Sequence, residues 1–170
     1  MIFKIINLGI LLILFNMIGC ETTSVESTGK LSGEYVLKGV FLSDALDSPC
    51  GWEAGEHKDI TINFTNDAAE ANTGYMQLSG ISAVNHFFGT YKIKSFDGST
   101  GTGTIEVSTL GSTKMAGPPL LMQCETRFFD YLSGAKDFSV ENDGTLKLGN
   151  FRKPDSHPRD GGTYLIFAKK

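Results

Sequence analysis

Asp59-Ile-Thr-Ile-Asn-Phe-Thr65 alternates strictly between polar and apolar side chains. Successive side chains of an extended chain point to opposite sides, so Ile60, Ile62 and Phe64 share one face and the polar residues share the other. A strand with one dry face and one wet face belongs in an antiparallel sheet.

Similar stretches lie on both sides of it. Ser32–Leu42 is a β-rich opening segment, and further strands are expected at Tyr75–Leu78, Phe88–Ser95, Gly103–Thr109, Phe138–Val140, Thr145–Leu148 and Thr163–Ala168. Tyr91, Ile93, Ile105 and Val107 are the inward residues of two of these. Between strands, Asp97-Gly98, Asn142-Asp143-Gly144 and Asp160-Gly161-Gly162 offer turn residues that tolerate positive φ.

One segment has a different period. After Pro118-Pro119, residues Leu121, Cys124, Phe128 and Leu132 recur at helical spacing and make a single apolar stripe, and Gly134 follows. The expected fold is therefore α+β but mostly β: a curved antiparallel sheet or open barrel of about seven to eight strands, with one amphipathic helix packed on it. No repeat and no composition shift marks a second globular domain.

The chain opens differently. Lys4 precedes an apolar run to Ile18 that ends in Gly19-Cys20. The run carries Asn7 and Asn16 and falls short of the about 20 apolar residues that span a bilayer, so a cleaved secretory signal is expected rather than an anchor helix. Met17-Ile18-Gly19-Cys20 resembles a bacterial lipobox. That resemblance implies cleavage before Cys20 and lipidation of it, hence attachment to a membrane outside the cytoplasm. Glu21 stands where Asp would favour inner-membrane retention, which makes the outer membrane the expected address. Residues 1–19 are then the signal and 20–30 a polar tether, whose last ten residues have a coil length of about 17–19 Å. Residues 31–170 form the domain.

The net charge is -4, which gives no electrostatic footprint for nucleic acid. Of the three cysteines, Cys20 is assigned to lipid, leaving Cys50 and Cys124 as an even pair in a compartment where disulfides persist. A bridge between them is expected, clamping the 43–57 loop onto the helix. The cysteines and histidines show no metal-ligand spacing, and no cofactor is expected.

The stretch Gly80–Leu148 resembles the META domain of HslJ-like bacterial lipoproteins. The resemblance rests on Asn85-His-Phe-Phe-Gly89-Thr-Tyr91, Thr104-Ile-Glu-Val107, Gly111-Ser-Thr-Lys-Met-Ala116, Pro118-Pro119, Glu125 and Gly144-Thr-Leu-Lys-Leu148, in that order. It extends to Gly33-Glu-Tyr-Val-Leu37 and covers about residues 31–168. Two positions depart from the pattern: Gly117 stands where the family often has Cys, and Tyr35 stands for its opening Trp. The resemblance implies an envelope lipoprotein associated with stress tolerance, and no catalytic residue can be carried over from it. Structural roles are expected for the motif residues. Asn85 reads as a turn residue, Gly89 as a point of close backbone packing and Tyr91 as a strand aromatic. Thr113, Lys114 and Glu125 read as a polar network beside Met115.

The residues themselves argue against an enzyme. His57, His86 and His157 stand apart from one another, and Ser82 and Ser112 lie in no nucleophile elbow. Binding has more support. The segment 149–162 gathers Arg152, Lys153, His157 and Arg159 in an acidic chain, and a loop of that length is often functional. A lipid headgroup, a glycan or an acidic partner would fit it, and so would no ligand at all. Trp52, beside Cys50, is the other candidate contact. The expected partners are a membrane, through the N-terminal lipid, and an envelope protein.

Overall fold

The computed structural model describes residues 30–48, 50, 59–70, 73–108, 110–157 and 159–170. The strands are β1 (Gly33–Leu42), β2 (Ala45–Asp47), β3 (Thr61–Ala68), β4 (Met76–Ile81), β5 (His86–Asp97), β6 (Thr102–Val107), β7 (Gly111–Ser112), β8 (Asp137–Val140), β9 (Leu146–Phe151) and β10 (Gly162–Lys169). The helix α1 spans Pro119–Ser133.

All pairings are antiparallel, in the order β10-β9-β8-β6-β5-β4-β3-β1. The last member returns to the first: β1 pairs with β10 from Tyr35↔Lys169 to Leu42↔Thr163. The sheet is thus a closed barrel of eight strands, with β2 added to β1 and β7 added to β5. Each backbone polar group that closure pairs is one fewer exposed at a sheet edge.

The alternation that opens β3 does what its period requires. Ile60, Ile62 and Phe64 are buried, and they meet the inward residues of the other strands in one continuous core with Leu78, Tyr91, Ile105, Phe138, Leu148 and Phe167. Tyr35, Phe64 and Tyr91 pack edge to face, with ring centroids 6.2 and 4.9 Å apart. Each buried phenol has an acceptor: Tyr35 donates to the Leu31 carbonyl at 3.0 Å and Tyr91 to the Thr65 carbonyl at 2.9 Å. Burial, and then the neighbouring Tyr35 phenol, push Tyr91 well above the ordinary tyrosine pKa.

Packing constrains the glycines more than turns do. A Cβ on Gly80 would lie 2.1 Å from the Thr61 carbonyl oxygen, and one on Gly103 would lie 2.3 Å from that of Ser95. In the β5–β6 turn the positive φ falls on Gly101 (φ 70°), where the Asp97-Gly98 pair was expected to supply it. Gly144 and Gly162 adopt positive φ as their turns require.

Helix α1 lays Cys124, Phe128 and Leu132 into the core. Phe128 meets Phe87 with centroids 5.5 Å apart. Pro119 opens the helix. Gly134 follows it in a right-handed conformation, donating its N–H to the Asp130 carbonyl at 3.0 Å. Among the described residues no helix is long and apolar enough to cross a membrane.

Candidate functional site

Two places gather the residues that the sequence singles out. The first lies under the helix. Glu125 sits on the buried side of α1 and is 5 % exposed. Its Oε2 accepts from the backbone N–H of Asn85 at 2.8 Å and of Val84 at 3.2 Å, and from the Ser82 hydroxyl. Its Oε1 accepts from Asn85 Nδ2 at 2.8 Å.

Asn85 is the hub. Its Oδ1 accepts from the Met115 N–H and the Thr113 hydroxyl, both at 2.8 Å. Because a backbone N–H can only donate, that contact fixes which end of the amide faces Met115, and so presents Nδ2 to Glu125. Among the described residues no cation takes part. Burial pushes the Glu125 carboxyl up, but the bonds from Ser82, Asn85 and Val84 together outweigh it and hold the pKa below the ordinary value. What results is an ionised, buried carboxylate satisfied by neutral donors, joining the helix, the 82–86 turn and the 113–115 segment.

This corrects the expected polar network in part. Thr113 and Glu125 belong to it, but only through Asn85. Asn85 keeps the expected local turn bonds, to Ser82, and its side chain adds bonds that span 28 to 40 residues of sequence. Lys114 is exposed and makes no side-chain bond to a described residue. Ser82, which no motif or spacing singles out, completes the cage. Met115 contributes its backbone and leaves its side chain 51 % exposed. Gly89 lies opposite Leu78 in the β4–β5 ladder.

Residue 124 makes a different attachment. Cys124 is disulfide-bonded to Cys50, with Cα atoms 4.7 Å apart, and Arg127 Nη2 donates to the Cys50 carbonyl at 3.3 Å. Adjacent helix residues therefore hold the 43–57 segment and the 82–86 turn. Cys20, Trp52 and all of residues 51–58 lie outside the described residues, as do the signal and nearly all of the tether.

The second place is the β9–β10 connection. Strand pairing reaches Phe151↔Gly162, so the loop proper is 152–161. It has its own order. Ser156 bonds the Lys153 carbonyl through both N–H (3.1 Å) and Oγ (2.7 Å), Asp160 N–H bonds the His157 carbonyl at 2.8 Å, and Gly161 N–H bonds the Ser43 carbonyl at 2.6 Å. The four expected contacts separate. His157 Nδ1 accepts from the Arg159 N–H at 3.2 Å, which ties those two into a turn of their own. Arg152 and Lys153 instead line a groove of about 570 Å³ with Phe96, Phe138, Phe151 and Pro154, walled by Ser95, Thr102, Thr104, Asp97 and Asp137. Asp137 Oδ2 accepts from the Phe151 N–H at 2.9 Å and so pins the start of the loop to β8. Neither cation forms an ion pair with a described residue. Among the described residues no group of three His, Cys, Asp or Glu is placed to hold a metal.

The closed barrel, the single long helix and the Asn85–Glu125 cage under it are the features against which relatives can be compared. The META domain pattern matches residues 31–168, and the chain belongs to the META domain family. The fold is similar to an NMR structure of a protein from Burkholderia xenovorans, with a TM-score of 0.55 and 21 % identity over 87 % of this chain and 89 % of that one. A crystal structure of a DUF4847 family protein from Bacteroides vulgatus gives a TM-score of 0.45 and 17 % identity, covering 82 % and 94 % of the two chains. No curated protein matches the chain.

Proposed function

We propose that this is a membrane-anchored envelope lipoprotein whose META domain acts without catalysis, in stress tolerance or envelope maintenance. The observation that carries the reading is the Cys50–Cys124 bridge. Such a bond persists in oxidising compartments, the setting to which the Met17–Cys20 lipobox resemblance would deliver the chain. The test is the intact mass of protein extracted from membranes in detergent, alkylated before and after reduction. Residues 20–170 plus acyl groups, with two cysteines alkylated only after reduction, is the expected result. An unlipidated chain with free thiols overturns it.

A second reading is favoured by Arg152 and Lys153, which line a groove while lacking an ion-pair partner among the described residues. On this reading the chain is an extracytoplasmic binding or inhibitory module that uses the 43–57 and 149–162 segments. Reversing the charge of Arg152, Lys153 and Arg159 is expected to remove a co-purifying partner, and an unchanged partner list argues against the loop.

A further inference from the structure

We propose that the groove beside the β9–β10 loop binds an acidic oligosaccharide, with a sugar carboxylate held by Arg152 and Lys153. The proposal rests on the second reading above, that this loop binds, and assigns it a ligand class.

Three observations converge on that chemistry. The first is the pairing of aromatic with polar walls. Phe96 and Phe151 are half-buried at the groove, Phe138 is beneath Phe96 in a stacked arrangement with centroids 5.9 Å apart, and hydroxyls and carboxylates stand between them. A sugar ring presents apolar C–H faces and polar edges, and an aromatic wall next to acceptors and hydroxyls satisfies both. A volume of about 570 Å³ lies inside the range of about 300–1,000 Å³ usual for small-ligand sites.

The second is the charge arrangement. Asp97 already accepts from the Ser99 N–H at 2.9 Å and the Ser99 hydroxyl at 2.6 Å, and one oxygen of Asp137 is engaged by Phe151. Asp97 is thus held in its own turn and Asp137 against β9, and neither forms an ion pair with Arg152 or Lys153. An arginine fork next to a lysine suits a carboxylate better than a neutral sugar.

The third is position. The groove's loop is bonded to Ser43 and pairs alongside Leu42, at the far end of β1 from Gly33, where the tether enters. Nine strand steps separate those ends by about 30 Å. A ligand reached there lies away from the anchored end, which favours a glycan over a lipid headgroup.

The test uses the full-length chain in detergent micelles and calorimetric titration with trigalacturonate, neutral galactotriose, triglutamate and glycerol phosphate. Trigalacturonate is expected to bind at least about tenfold more tightly than the other three, and R152E/K153E to weaken it at least about tenfold. Both residues are exposed, so an unchanged melting curve will show that the variant is folded. Equal binding of triglutamate or glycerol phosphate overturns the proposal in favour of charge alone, and no binding of trigalacturonate overturns it outright. If the saccharide fails but R152E/K153E still removes a co-purifying protein from membrane extracts, the binding-module reading survives without this ligand. If neither changes, both fall.

Discussion

Asn85 and Glu125 touch twice across 40 residues of sequence: the carboxylate takes the backbone N–H of Asn85 on one oxygen and its side-chain amide on the other, each at 2.8 Å. One residue thereby positions the helix against both the turn it stands on and the segment that leads into the helix.

The cage needs a carboxylate rather than an amide. In Glu125→Gln one acceptor oxygen becomes an NH₂ facing another donor, and Met115 prevents Asn85 from flipping to relieve it. A loss of about 1–3 kcal/mol is expected from an orphaned buried donor. The Glu125 pKa is depressed when folded, so its contribution is complete above the unfolded value near 4.5 and is lost as pH falls through the lower folded value. Urea unfolding of wild type and variant from pH 7 to pH 3 should therefore show the stability gap closing on the acid side. A gap independent of pH would mean that Glu125 is not ionised in the native state.

Asn85→Asp should reverse that trend. It sets a second carboxylate 2.8 Å from Oε1 of the first, and two such groups cannot both ionise in a buried site. One carboxyl then has its folded pKa raised above the unfolded one, so the variant should gain stability relative to wild type as pH falls. At neutral pH the cost is about 3–5 kcal/mol, the penalty of an uncompensated buried charge. The same pH series measures it.

The bridge closes a loop with a sequence separation of 74 residues. Cys50→Ala is expected to cost about 4 kcal/mol on the chain-entropy model, and Cys50→Ala/Cys124→Ala the same to within the effect of a buried methyl change. A denaturant midpoint barely moved by either would show that the Arg127 contact and packing alone hold the 43–57 segment.

Gly80→Ala tests the packing of the barrel wall. The added methyl meets the Thr61 carbonyl at 2.1 Å and the Phe87 ring at 2.6 Å, so β3 and β4 must separate locally. Overpacking of about 1–3 kcal/mol is expected, with faster amide exchange at Ile62 and Asn63 as its local signature.

Most of the barrel was legible because inward alternation is a local property: Ile60, Ile62, Phe64, Tyr91 and Ile105 were all placed by period alone and all are buried. Ile93 and Val107, also read as inward, are only half-buried, and Ile93 stands beside a break in the β5–β6 register. Closure was not legible. It depends on β1 meeting β10, which lies more than 100 residues later, and no strand's own pattern states its partner. β2 and β7 escaped notice because two or three residues are too few to show a period. The site followed the same division. The family pattern pointed to Asn85, Thr113 and Glu125, but the hub role of Asn85 and the share of Ser82 arise from a turn folded against a helix, which spacing does not encode. In the 149–162 segment composition found four basic residues, and only the backbone turns decided that two of them line the groove.

Closure also bears on how copies of this domain behave toward one another. Among the described residues the strands with a single neighbour are β2, of three residues, and β7, of two, so there a neighbouring molecule finds almost no open backbone on which to add a strand. If the chain is lipid-anchored as proposed above, its copies share a two-dimensional surface and meet far more often than chains free in solution. For them a sheet without a usable margin is protection against polymerising with their own kind.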